Sequence, residues 1–192
     1  NINYMELVKT IKSSQLVKII FFTLIGTIIL AISSKIKIPF YPVPMTMQTF
    51  VVLFIGVAFG WKLGLATVSL YLFEGIIGLP VFSGSPEKGV GIIYFTGPTM
   101  GYLIGFLIAV FLAGYFEYST NIFLNFLKLL FATSFIYLCG MAWLGLLIGW
   151  DKPIFELGAK PFLLAELFKV LMITILIRKI KKHFSLSGRS LR

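Results

Sequence analysis

Glu166 and Lys169 sit three residues apart in the apolar stretch PFLLAELFKVLMITIL. On a helix that spacing puts both side chains on one face. A charge at the centre of a membrane helix costs about 2.5–3.5 kcal/mol on insertion scales, so intramembrane charges usually serve a function. Lysine offers a cation to a carboxylate, and glutamate accepts N–H hydrogen bonds. The pair reads as the floor of a polar pocket, against the plainer reading that the two charges only neutralise each other. Glu74 lies in another apolar run with no cation at helical spacing, so it pairs across helices or is protonated. Gln48 and Thr46 offer hydrogen bonds, either to a ligand or between helices.

The stretch GLPVFSGSPEKGVGIIYFTGPTMGY, residues 78–102, interrupts the apolar runs with six glycines and three prolines. Irregular backbone cannot face lipid, because its N–H and C=O groups would go unpaired; it survives at membrane depth only where it is buried in protein or lines a cavity. Glycines such as Gly84 and Gly101 let backbone approach a ligand closely. The motif TGPTMGY reads as a helix start, with Thr96 or Gly97 as cap and Pro98 in the first turn. Amides at such a start can hold an anion. The segment therefore reads as a lid over a pocket that includes Glu166 and Lys169, or more plainly as an outer loop.

Other chemistry has little to work with. There is no G-x-x-x-x-G-K-[ST] motif, so ATP hydrolysis by a P-loop is excluded. The lone histidine, His183, and the lone cysteine, Cys139, form neither a metal cluster nor a nucleophile–base pair. No metal and no cofactor are expected.

These residues are carried by a chain that is 58% hydrophobic and 12% charged. A soluble domain is closer to a quarter charged. The fold expected is an all-α integral membrane protein, one membrane domain over residues 1–192. Apolar runs at about 16–34, 43–60, 63–80, 98–116, 122–149 and 160–180 give six transmembrane helices. The second opens among Pro39, Pro42 and Pro44 and is expected to be short or tilted. The first run is too long for a cleavable signal peptide. The net charge of +10 reflects topology rather than nucleic-acid binding: eleven of the 17 Lys and Arg fall in inner segments when both termini are cytoplasmic. The glycine-rich loop between the third and fourth helices is then outside, and the basic tail can touch anionic lipid. Trp61, Trp150, Tyr41 and Tyr115 fall near predicted interfaces, as an aromatic belt would. Thr23, Thr27 and Ala31 make a small-residue stripe on the first helix, suited to close approach of another helix, either of this chain, the plainer reading, or of a docking protein.

In order along the chain, PVPMTMQTFVVLFIGVAFGWKLG, YLFEGIIGLPVF, TGPTMGYLIGF and PFLLAELFK resemble the BioY family, the biotin-binding S components of energy-coupling factor (ECF) transporters. The resemblance covers roughly residues 39–180. It implies a six-helix S-component fold in the cytoplasmic (inner) membrane and high-affinity biotin capture at the outer face. It also implies partners: a membrane coupling (T) component and two cytoplasmic ATPases. By the same resemblance Lys169 pairs with the valerate carboxylate and Glu166 takes the ureido N–H groups. The loop amides or Thr99 serve the ureido carbonyl, and Phe82, Tyr94 and Tyr102 pack on the thiophane ring. Gly84, Gly101 and Gln48 complete the implied site, and Thr23, Thr27 and Ala31 resemble a docking motif for the coupling protein. Two alternatives stay open: an S component for another vitamin, and a solitary proton-coupled vitamin carrier.

Overall fold

The computed structural model describes the backbone of residues 4–187 and the side chains of residues 15–180. Lys9 and Lys12, and the tail residues Lys181, Lys182, His183, Arg189 and Arg192, lie outside the described side chains. The helices are α1 (Tyr4–Lys35), α2 (Gln48–Ile76), α3 (Met100–Tyr115), α4 (Ile122–Ile148), α5 (Ile154–Gly158) and α6 (Leu163–Ser187). Short 3-10 turns cover Gly91–Thr96 and Lys160–Phe162. A small antiparallel ribbon joins β1 (Lys37–Ile38) to β2 (Met45–Thr46).

α2 is a helical hairpin. Gly60 has φ +76° and ψ 173°, a backbone state open to glycine and strained for other residues. The Gln48 side chain reaches the Tyr71 hydroxyl at 2.7 Å, whereas 23 residues of straight helix would hold the two about 34 Å apart. The two arms, 48–59 and 61–76, with α1, α3, α4 and α6, make six membrane segments. The first arm is indeed short, about 18 Å of helix. Residues Gln15–Lys35 and Ile122–Ile148 are each long and apolar enough to cross a bilayer; Gln48–Ile76 reaches that length only when its two arms are counted together, and α3 is a shorter apolar helix.

Several boundaries differ from the sequence reading, each for a local reason. Residues 43–47 are not helical: Pro42 and Pro44 bias their predecessors away from helix, Met45–Thr46 pair with β1 as β2, and Met47, at φ −80° and ψ 0°, precedes α2. The second arm stops at Ile76, not residue 80. There the Gly78 N–H bonds to Gly75 O at 3.2 Å and the Leu79 N–H to Glu74 O at 3.0 Å, with Gly78 at φ +100°; this is a Schellman cap. α3 is regular from Met100; Thr99 before it already has helical dihedrals, whereas Gly97 is extended, at φ −83° and ψ 174°, and its carbonyl takes the Met100 N–H at 3.5 Å.

The Thr23–Thr27–Ala31 stripe is corrected as a docking face. Thr23 and Thr27 are buried within the chain. Gly26 between them lies so close to Thr67 and Phe59 that the stripe is the seat of α2 on α1. The outward face of α1 is Leu16, Val17, Ile20, Phe21, Leu24 and Ile28, suited to lipid. Close approach also sets α3 against α4. A Cβ at Gly105 would stand 2.5 Å from Ile136 Cα and 3.0 Å from Phe135 O. Backbone cannot yield as a side chain can. Gly105→Leu should therefore cost about 1–3 kcal/mol and lower the melting midpoint by roughly 3–10 °C, measured by thermal unfolding in detergent.

Trp61, Trp150, Tyr41 and Tyr115 are all exposed. Trp61 lies at the hairpin turn, where Lys62 Nζ stands 5.4 Å from its ring centre. The ribbon, the 77–99 segment and the 149–162 connection gather at the opposite end of the bundle. Cross-links there run from Lys35 to Phe82 O, from Tyr102 to Gly158 O and from Trp143 to Gly97 O.

Candidate functional site

At that end a pocket, partly open to solvent, lies between the helix tips and the 77–99 segment. The residues before and at the start of α2 form one wall, with Met45, Thr46, Gln48 and Thr49. The lid contributes Ser83, Tyr94 and Thr99. Tyr102 and Phe106 of α3, Tyr137 of α4, Phe162 and Glu166 close it with aromatic rings and one carboxylate.

The Glu166–Lys169 pair is real and buried, at 2.7 Å with both side chains about one-twentieth exposed. Its roles differ from the sequence reading. Lys169 Nζ donates to Thr46 O at 2.6 Å, Thr49 Oγ1 at 3.0 Å and Glu166 Oε1 at 2.7 Å. An ammonium has three donors, and these acceptors use all three. Lys169 is not among the residues that line the pocket; its ammonium sits against Glu166, which is. Thr49 also donates to Glu166 Oε1 at 2.9 Å. One carboxylate oxygen is thus held from two sides, while Glu166 Oε2 is buried without a hydrogen-bond partner. The Tyr137 hydroxyl lies near this carboxylate without closing a well-formed bond.

Ser83 Oγ is the other described side-chain atom buried without a partner. Both atoms belong to residues that line the same pocket. Buried polar atoms are nearly always satisfied, so two unpaired ones on residues of one pocket are candidates for contact with a ligand. The carboxylate oxygen wants a donor; the hydroxyl can donate or accept.

Of the residues singled out in the sequence, Thr46, Gln48, Tyr94, Thr99, Tyr102 and Glu166 line the pocket. Gln48 is held by Tyr71, whose hydroxyl donates to Val81 O at 2.9 Å. Tyr94 donates to Ser83 O at 2.7 Å, and burial pushes its phenol above the usual range, so it stays a donor. Phe82 is not a pocket wall. Its ring sits in an aromatic cluster with Tyr71, Tyr94 and Phe95, at centroid distances of 5.3, 4.7 and 5.4 Å. Gly84 turns the chain at φ +79° against Lys88, away from the pocket. Gly101 is pressed on Cys139 and Trp143 of α4, so it serves helix packing. Glu74 is half-buried, outside the pocket, and makes no ion pair among the described residues.

Ser83, Thr49, Tyr137 and Phe162 went unread in the sequence. Ser83 had no signal beyond its place in the glycine-rich segment. Thr49 follows Gln48 in the run TMQT, and its importance depends on α6 lying opposite.

The family model described as the BioY family matches residues 6–186. The probable biotin transporter BioY of Pyrococcus horikoshii is 34% identical over 151 residues, covering 79% of this chain and 88% of that relative. The biotin transporter BioY of Thermotoga maritima is 31% identical over 159 residues, covering 82% and 92%. Among solved structures, the crystal structure of an S-component for biotin from an ECF-type ABC transporter superposes with a TM-score of 0.75 at 28% identity. That match covers 88% of this chain and 93% of the other.

Proposed function

The chain belongs to the BioY family, and from that premise we propose that it captures biotin as the substrate-specific subunit of an ECF-type transporter. It works in the cytoplasmic membrane beside a membrane coupling component and two ATPases that hydrolyse ATP on its behalf. One observation carries the assignment of the site: the two orphaned polar atoms, Glu166 Oε2 and Ser83 Oγ, belong to one pocket walled by aromatic rings. Biotin's fused bicycle matches that pattern. Its ureido group brings two N–H donors and one carbonyl acceptor, and its thiophane ring brings apolar surface. A ureido N–H goes to Glu166 Oε2, and the Ser83 hydroxyl serves the remaining polar edge. Tyr94, Tyr102 and Tyr137 pack on the ring system. Lys169 acts from behind, holding the Glu166 carboxyl group in its orientation. The valerate is left to the start of α3 beside Thr99, where first-turn amides carry partial positive charge.

The test is ligand-dependent thermal stability of the purified protein, with biotin beside thiamine and riboflavin. A ligand at about 1,000 times its dissociation constant stabilises by about 4 kcal/mol. Biotin alone is expected to raise the midpoint; a shift with thiamine or riboflavin instead would overturn the assignment. Glu166→Gln leaves the buried Lys169 without its counter-charge and should lower the melting midpoint; in the folded protein it should weaken biotin roughly tenfold to a hundredfold, the loss of one hydrogen bond to a charged acceptor. Wild-type affinity in that variant would remove Glu166 from the site.

A further inference from the structure

Lys35 closes α1, and its charge meets carbonyl groups instead of a carboxylate. Its ammonium donates to Phe82 O and Ser85 O, each at 2.8 Å, and to Ser85 Oγ at 3.4 Å. Ser34, the residue before it, donates to Val81 O at 2.8 Å. Val81 O also takes the Tyr71 hydroxyl, and Ser83 O takes the Tyr94 hydroxyl. Four carbonyls of the stretch 81–85 are tied in this way, two of them by Lys35. With those carbonyls turned to their donors, the Phe82 ring is seated on Gly75 and Ser83 Oγ is buried at the pocket. Nothing else in the site needs Lys35. It is exposed, lies outside the pocket wall, and makes no ion pair among the described residues.

From this geometry we propose that Lys35 is a positioning residue for ligand retention. It latches the Phe82–Ser85 part of the lid to the end of α1, so the ligand's residence time depends on a bond between α1 and the lid. The proposal rests on the reading of the pocket as a biotin site. Lys35 is exposed, so water competes for its ammonium, and its bonds to the carbonyls of the buried Phe82 and Ser85 add little to global stability. Ser34 and Tyr71 still hold Val81 when Lys35 is gone. The effect should therefore fall on lid opening, a local event of low free energy, and on dissociation more than association.

The experiment compares wild type, Lys35→Met and Lys35→Arg. Methionine keeps an unbranched apolar stem and removes the charge, and arginine restores a cationic donor. Two quantities are read: release of pre-bound labelled biotin during an unlabelled chase, and deuterium uptake of residues 79–90 without ligand. Lys35→Met should release biotin about tenfold faster, with association within about twofold, and Lys35→Arg should recover most of the loss. Uptake should rise within 79–90 and stay unchanged in α4. Wild-type release by Lys35→Met, with or without faster exchange, overturns the latch, as does exchange that rises equally in α4. If wild type holds no biotin, the functional reading fails by itself and exchange alone decides the latch: a rise confined to 79–90 upholds it, and no rise overturns it.

Discussion

Lys169→Met should destabilise the protein by about 3–5 kcal/mol and abolish biotin binding, although Lys169 does not line the pocket. The cost arises because Glu166 is left as a buried carboxylate with no counter-charge. Removing one member of a buried ion pair is far more damaging than removing both. The Lys169 side chain also ties Thr46 O and Thr49 Oγ1, so its loss frees the wall that faces α6. The double variant Glu166→Gln/Lys169→Met separates the two roles. It should regain most of the stability, since no unpaired charge remains, yet still bind biotin poorly for want of the carboxylate acceptor. Thermal unfolding with and without biotin reads both quantities. A direct Lys169–ligand salt bridge predicts otherwise: Lys169→Met would keep its stability and lose only affinity for the carboxylate, which a biotin ester would not register.

Gly75→Ala should weaken biotin by roughly fivefold to a hundredfold through a residue that never meets the ligand. A Cβ there would overlap Phe82 Cζ and Cε2 and come within 2.9 Å of Cε1. Phe82 is about 1% exposed and packed by three other rings, so its ring has no free space to enter. Overpacking of this kind costs about 1–3 kcal/mol, and tenfold in affinity corresponds to about 1.4 kcal/mol. Moving Phe82 moves Ser83, the next residue, and with it the hydroxyl that belongs in the pocket. The substitution is otherwise mild, because Gly75 is helical and alanine is the better helix former. Gly75→Ala/Phe82→Leu returns the space and should recover part of the affinity. Titration calorimetry of the two variants measures this; equal affinity of Gly75→Ala and wild type would separate the lid from the site.

The membrane segments were legible because apolar runs of this length have one stable solution in a bilayer. Even the break near Trp61 and Lys62 was visible, as two polar-capable residues between two apolar runs. The helix ends were less so. Val43 and Met45 are apolar, and only the prolines beside them say that the chain is not helical there. The stop at Ile76 depends on the Gly78–Leu79 cap, which hydropathy does not register because Leu79 is apolar.

The site divides the same way. Three-residue spacing placed Glu166 and Lys169 on one face of α6. It could not say which of them meets the cavity, because that choice is made by Thr46 and Thr49, 117 to 123 residues away in sequence. Sequence reasoning gave lysine the ligand carboxylate; the structure gives it a carbonyl, a hydroxyl and Glu166. Phe82 shows the opposite limit. An aromatic residue in a glycine-rich lid reads equally well as a pocket wall or as the bolt beneath it, and only the contact with Gly75 decides. The stripe of Thr23, Thr27 and Ala31 reads equally as a seat for a helix of the same chain or of another, and the contact of Gly26 with Thr67 and Phe59 brings α2 of the same chain against that part of α1.

The central claim is that Glu166 Oε2 receives a ureido N–H of biotin. Titration calorimetry of the wild-type protein in detergent, with biotin and then with an analogue methylated on the ureido nitrogens, tests it most directly. The account predicts one biotin per protein and at least tenfold weaker binding of the methylated analogue, the difference vanishing in Glu166→Gln. Equal binding of the two ligands by wild type, or a methylation penalty that persists undiminished in Glu166→Gln, would contradict it.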